Sequence, residues 1–204
     1  LSRFTCCLLP VLLAGCNLFT PLAFVLPEHQ REVPAEFTQL SGSVAVLVWA
    51  DSPITYDYPY LTLDIAGHVS DRLQAGVPGI KTVDVYNIQD FVKLKPRGRT
   101  PEEVGRQFQA NYVVYLELLD FGLREPSTPD IIQGRIYSSV VVYGFKDPQA
   151  PPQRTELAPV SVKVPEGGPK HFSPGELREI RKSLYETFAG QVASKFYSHR
   201  EVER

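Results

Sequence analysis

The chain has 204 residues, 43% of them hydrophobic, and its 21 Lys and Arg against 23 Asp and Glu leave a formal charge of −2. That near-neutral balance removes the electrostatic case for a nucleic-acid partner, while the hydrophobic share is that of a globular domain. The three cysteines are Cys6, Cys7 and Cys16, so a disulfide-stapled framework and thiol chemistry in the body of the chain are both excluded.

The first element is a targeting segment. Arg3 supplies a positive charge, residues 4–13 are mostly apolar, and Ala14 and Gly15 are small residues directly before Cys16. The run is too short for a membrane-spanning helix, which needs about 20 apolar residues, and its order is that of a secretory signal. Leu13-Ala14-Gly15-Cys16 resembles the lipobox of bacterial lipoproteins. The resemblance implies a signal peptide over 1–15 and a diacylglycerol on the Cys16 thiol. It also implies a lipid-anchored protein on the periplasmic side of the envelope. Asn17 after the cysteine favours the outer membrane under the common sorting pattern. The alternatives are an ordinary signal peptide or a membrane anchor; residues 18–26 stay apolar, as an interrupted anchor would, although Pro10, Gly15, Asn17 and Pro21 argue against a continuous helix there. Residues 16–42 are proline-broken and read as a tether, leaving one domain over 43–200.

The domain opens on VAVLVWA, residues 44–50, a continuous apolar run that predicts a central strand buried on both faces. Asp51-Ser52-Pro53 breaks it. Residues 51–60, DSPITYDYPY, read as a loop carrying Tyr56, Tyr58 and Tyr60. Tyrosine offers contact area and a hydroxyl at low entropic cost, which suits partner recognition. The competing expectation is that these rings cover the end of the sheet. Leu61, Ile65, Val69 and Leu73 then stripe a helix over 59–74. Residues 82–88, TVDVYNI, alternate and predict a second strand.

KLKPRGR, with Lys93, Lys95, Arg97 and Arg99, reads as a basic loop, either solvated or touching a partner. Thr100-Pro101-Glu102-Glu103 has the order of a capping box and starts a short helix that buries Val104 and Phe108. Strands follow over 111–121, 134–145 and 155–164. Glu117 in the first of these is expected to be exposed or paired, and Pro159 in the last predicts an edge strand. Ser173 and Glu176 start a final helix striped by Leu177, Ile180, Leu184, Phe188, Val192 and Phe196.

The order β-α-β-α-β-β-β-α predicts an α/β fold, a mixed five-stranded sheet with helices packed on it. Val46, Val48, Leu61, Ile65, Val113, Val140, Leu184 and Phe188 are its expected core. SVAVLVWADSP, VDVYNIQDF and QFQANYVVYLELLDFGL are together similar to the TolB amino-terminal domain and to CsgG-type and LpoB-type periplasmic domains. That resemblance implies a non-enzymatic envelope module that binds one or more envelope proteins.

Motifs for chemistry are sparse. The four histidines, His29, His68, His171 and His199, have no ligand spacing, so no metal site is expected, and no cofactor is implied. There is no Gly-x-Ser-x-Gly elbow and no P-loop. Asp51, Asp57, Asp64, Glu117 and Asp120 show no pairing in the sequence. The function expected is a lipid-anchored interaction or assembly module. The alternative is a small-ligand carrier or hydrolase with an aromatic cleft near Tyr56 and Tyr58.

Overall fold

The computed structural model describes residues 30–95, 100–125, 127–147 and 150–202. The signal segment, Cys16, Arg97 and Arg99 lie outside the described residues. Gln30–Val33 (β1) and His199–Val202 (β8) form a two-stranded sheet, which no sequence pattern announces. Between them in the chain lies a mixed α/β unit, as the element order predicts. Its strands are β2 (Gly42–Ala50), β3 (Ile80–Thr82), β4 (Tyr112–Glu125), β5 (Thr128–Gly144), β6 (Gln153–Val164) and β7 (Lys170–His171). The main sheet runs β3-β2-β4-β5-β6, with β7 pairing β5.

Strands joined through helices pair in parallel, β2 with β3 and β2 with β4. The later strands pair antiparallel, β4 with β5 and β5 with β6. This division follows from connection length, since a parallel return needs a long crossover and a hairpin does not. β6 is an edge strand, as Pro159 requires. It bulges there: Ser138 pairs with Val160 and Val140 with Leu157, so Ala158 and Pro159 stand opposite Ser139 alone. β4 bulges at Leu119, between the Leu118–Ser138 and Asp120–Tyr137 pairs.

One face of the sheet is covered by α2 (Leu61–Gly76) and α5 (Pro174–Ser194). Val46, Val48, Leu116, Val140 and Val142 meet Leu61, Ile65, Leu184 and Phe188 in the main core. The expected core residues are all buried. Burying each Leu, Ile or Phe stabilises by about 1.5–3 kcal/mol before entropy is counted. α2 starts two residues later than its stripe predicts and reaches Gly76, where a Cβ would run into the Tyr197 ring.

The other face carries α3 (Val85–Lys93) and α4 (Pro101–Gln107). Here the structure corrects the sequence reading of a strand over 82–88. β3 ends at Thr82, and Asp84 caps a helix, its Oδ1 accepting from Tyr86 N–H at 2.8 Å and Asn87 N–H at 3.1 Å. The helix wins because Val85, Ile88 and Val92 also recur at helical spacing, and Ile88 buries on the second face. α4 has the predicted capping box, with Thr100 Oγ1 accepting from Glu103 N–H and Glu103 Oε2 accepting from Thr100 N–H. Ala45, Leu47, Ile88, Val104, Ala110 and Val113 form this smaller core.

The last part of the expected tether is held on the domain. Phe37 packs edge-on against Tyr112 and Phe196, and Leu40 is buried. Lys195 Nζ donates to Glu36 Oε1 at 2.7 Å, while Ala158 N–H on the bulge of β6 donates to Glu36 Oε2 at 3.0 Å. Burial raises the Glu36 pKa, but Lys195 and the Ala158 N–H outweigh it and hold the carboxyl below its ordinary value.

Candidate interaction face

Residues 51–60 are not a loop, as the broken pattern predicts, but enclose a short helix, α1 (Ser52–Asp57). Asp51 caps it, Oδ1 accepting from Ile54 N–H at 3.3 Å, and Pro53 fits its first turn. None of its residues is buried, so no apolar stripe marks it. The three tyrosines part company. Tyr56 is 87% exposed and Tyr60 72% exposed. Tyr58 turns inward onto the main core and meets the Phe121 ring edge-on at 4.7 Å between centroids. Tyr58 therefore covers the end of the sheet, as the competing expectation held, while Tyr56 and Tyr60 remain available.

The basic segment sits on other elements. Lys93 ends α3, and Lys95 Nζ is held by Glu103 Oε1 at 2.6 Å. Among the described residues no hydrogen bond or ion pair joins Lys93 or Lys95 to the tyrosines. Asp51 is spent as a cap and Asp120 on Arg135, so the five candidate carboxylates do not act as one group.

The structure adds a surface the sequence reading missed. α3 and α4 cover the second face only around Ala45, Leu47 and Val113. Beyond them Val141 is still buried, but among the described residues three large side chains of that face stand exposed. Trp49 is 46% exposed, Leu119 52% and Tyr137 41%. β2 is thus buried on both faces through Val48 and on one face at Trp49, which corrects the expectation of a strand buried throughout. The register sets Trp49 beside Glu117 and Glu117 opposite Ser139.

Next to this row lies a groove of ≈350 Å³, lined by Tyr115, Glu117, Tyr137, Tyr143, Arg154 and Glu156 among others. Burial pushes the Tyr115 phenol up to about 12, and the charge of Glu117 and then Tyr143 add to the shift. Tyr115 is therefore a neutral hydroxyl at ordinary pH. Arg154 hydrogen-bonds Tyr143 and pairs with Glu156, which together hold the guanidinium charged.

A second groove of ≈340 Å³ lies between α2 and α3, lined by residues including Asp64, His68, Asp71 and Tyr86. Neither groove includes Tyr56 or Tyr58. Among the described residues no three His, Cys, Asp or Glu side chains cluster to hold a metal. Among the same residues no helix is long and apolar enough to cross a membrane.

No protein-family model matches the sequence, and no curated protein matches it. Similar solved structures include a PelC dodecamer from Paraburkholderia phytofirmans, at 12% identity and a TM-score of 0.48, covering 83% of this chain and 98% of that one. The hypothetical protein CT253 from Chlamydia trachomatis is similar at 14% identity and 0.46, over 76% and 98%. Lipoprotein GNA1162 from Neisseria meningitidis is similar at 12% identity and 0.42, over 74% and 99%. Structural neighbours of this chain thus include a bacterial lipoprotein.

Proposed function

We propose that this chain is a lipid-anchored cell-envelope protein without catalysis of its own, serving as an interaction or assembly accessory module on the periplasmic side. Its membrane attachment is the acyl group on Cys16, and the outer membrane is its expected home. Its domain is taken as one of the TolB-amino-terminal, CsgG and LpoB kind, on the sequence motifs alone. The observation that supports the interaction role best is the uneven cover of the sheet. Aromatic and aliphatic side chains that a closed fold would bury stand in solvent at Trp49, Leu119 and Tyr137. Large apolar side chains exposed together on one sheet face fit a contact site. Tyr56 and Tyr60 offer a second contact at the end of β2. Confinement to one membrane raises the effective concentration of partners, so weak contacts suffice.

The anchor and the interaction role have separate tests. In the native host the chain should incorporate a palmitate analogue, and Cys16→Ser should lose the label. Label retained in Cys16→Ser overturns the anchor. Photo-crosslinking residues placed at positions 56 and 119 should capture protein. Capture from neither position overturns the interaction role.

A further inference from the structure

Glu117 is the unusual group on the open face. It is half-buried in the middle of β4, yet it makes no hydrogen bond or ion pair among the described residues. Its surroundings are aromatic. Trp49 stands beside it on β2. Tyr115 lies two residues back on the same face of β4, and Leu119 bulges out two residues ahead. Tyr137 on β5 pairs with Asp120, a diagonal neighbour of Glu117.

The nearby cations are already engaged. Arg135 Nε donates to Asp120 Oδ2 at 2.8 Å and its Nη1 to the Arg124 carbonyl at 2.8 Å. Arg154 is held by Tyr143 and Glu156. Lys163 lies level with Arg135, farther along the face. Among the described residues the Glu117 carboxylate is therefore left without a partner, with the aromatic residues Trp49, Tyr115 and Tyr137 as its neighbours by register.

A carboxylate without a partner attracts a cation, and more strongly where the surface is partly shielded from water. Aromatic faces attract cations through their quadrupole. Together they form a site for a guanidinium or an ammonium group. Guanidinium fits better, because it is planar, stacks on rings and sheds its hydration more easily.

We infer that the open half of the second sheet face docks a partner protein that inserts an arginine side chain beside Glu117, between Trp49, Tyr115 and Tyr137. The inference rests on the interaction role proposed above and names its site and the chemistry of the partner. A polypeptide is the occupant because the exposed apolar surface extends beyond the groove. Trp49 and Leu119 do not line the groove, and a small amine in it would leave both uncovered. Aromatic residues around one arginine, with apolar contacts excluding water, are the composition of an interface hot spot.

Trp49 is the sole tryptophan, so its emission reports from this face. The full-length chain is titrated with acetyl-Leu-Arg-Leu-amide and with the same peptide carrying citrulline, the uncharged isostere. The arginine peptide should change the emission saturably. The citrulline peptide, or the arginine peptide added to Glu117→Gln, should bind about tenfold more weakly, the loss of one partly desolvated cation contact. Equal binding of the two peptides, undiminished binding by Glu117→Gln, or no saturable change overturns the inference. Argininamide binding as tightly as the tripeptide also overturns it, by making this a small-cation site.

Leu119→Lys places a cation in the patch from an exposed bulge and should block the peptide. It decides the matter if Glu117→Gln does not fold. In the host, a crosslinker at position 119 should capture a protein other than this chain, and Glu117→Gln should abolish the capture. Capture of a second copy overturns the inference. Capture from position 56 but not from 119 overturns it too, while leaving the interaction role standing.

Discussion

The two faces of the sheet differ in how much helix they carry. The first is roofed by helices of 16 and 21 residues, the second by helices of 9 and 7. At 1.5 Å per residue the long pair spans about 24 and 32 Å and the short pair about 14 and 11 Å. β4 has 14 residues and β5 has 17, so short helices run out before the strands do. The same alternating strands thus bury the side chains of the first face and leave Trp49, Leu119 and Tyr137 of the second exposed. The larger buried core lies on the first face, and the exposed Trp49, Leu119 and Tyr137 lie on the second.

The largest effect should separate the faces directly. Phe188→Ala removes a ring from the first core and should cost about 3–5 kcal/mol. Leu119→Ser on the open face should stay within about 0.5 kcal/mol. Urea unfolding of both variants measures the difference, and similar midpoints would break the comparison.

A smaller effect tests the half-roofed region. Asp84→Ala removes the cap of α3 and should cost about 1 kcal/mol. A cap holds a helix end, whereas an outward Asp in a strand holds nothing, so an unchanged melting temperature would restore the strand reading of 82–88.

The smallest effect concerns the strap at Glu36. Its folded pKa lies below the ordinary 4.5, so the unfolded chain takes up the proton first as pH falls. The stabilisation is therefore complete above about pH 4.5 and is lost as pH drops through the lower folded value. Glu36 is 40% exposed on its side chain, so the contribution is screened and amounts to no more than about 1 kcal/mol. Glu36→Gln should lower the melting temperature slightly at neutral pH and converge with the parent in acid. A constant offset at every pH would assign the effect to packing.

Much of this fold is legible in the sequence because burial leaves a periodic trace. Leu61, Ile65, Val69 and Leu73 write α2, and the stripe from Ile180 to Val192 writes α5. Thr100 and Glu103 announce α4 because a reciprocal cap needs both residues at one spacing. The trace fails where burial is partial or ambiguous. TVDVYNI satisfies both periods, and only the cap geometry of Asp84 decides between them. α1 buries nothing, so its Asp-Ser-Pro start reads as a break although its logic matches that of Thr100-Pro101.

The candidate site was legible only in part, and for a different reason. Tyr56, Tyr58 and Tyr60 stand out as residues, yet their directions depend on a helix the pattern does not show. Trp49 sits in an apolar run whose exposure depends on how far two distant helices reach, and no local signal carries that information.

The bulge at Ala158 and Pro159 has a consequence for how copies of this protein behave when crowded. A sheet edge invites another strand to extend it, the first step toward fibrous self-association. Here one edge is β3, only three residues long. The other is β6, where Pro159 offers no N–H and the neighbouring Ala158 N–H is occupied by Glu36. An incoming strand meets a gap in the ladder midway along its length and a side chain already seated there. The same carboxylate that fastens the entering chain to α5 therefore also shields the longer border of the sheet from templated growth.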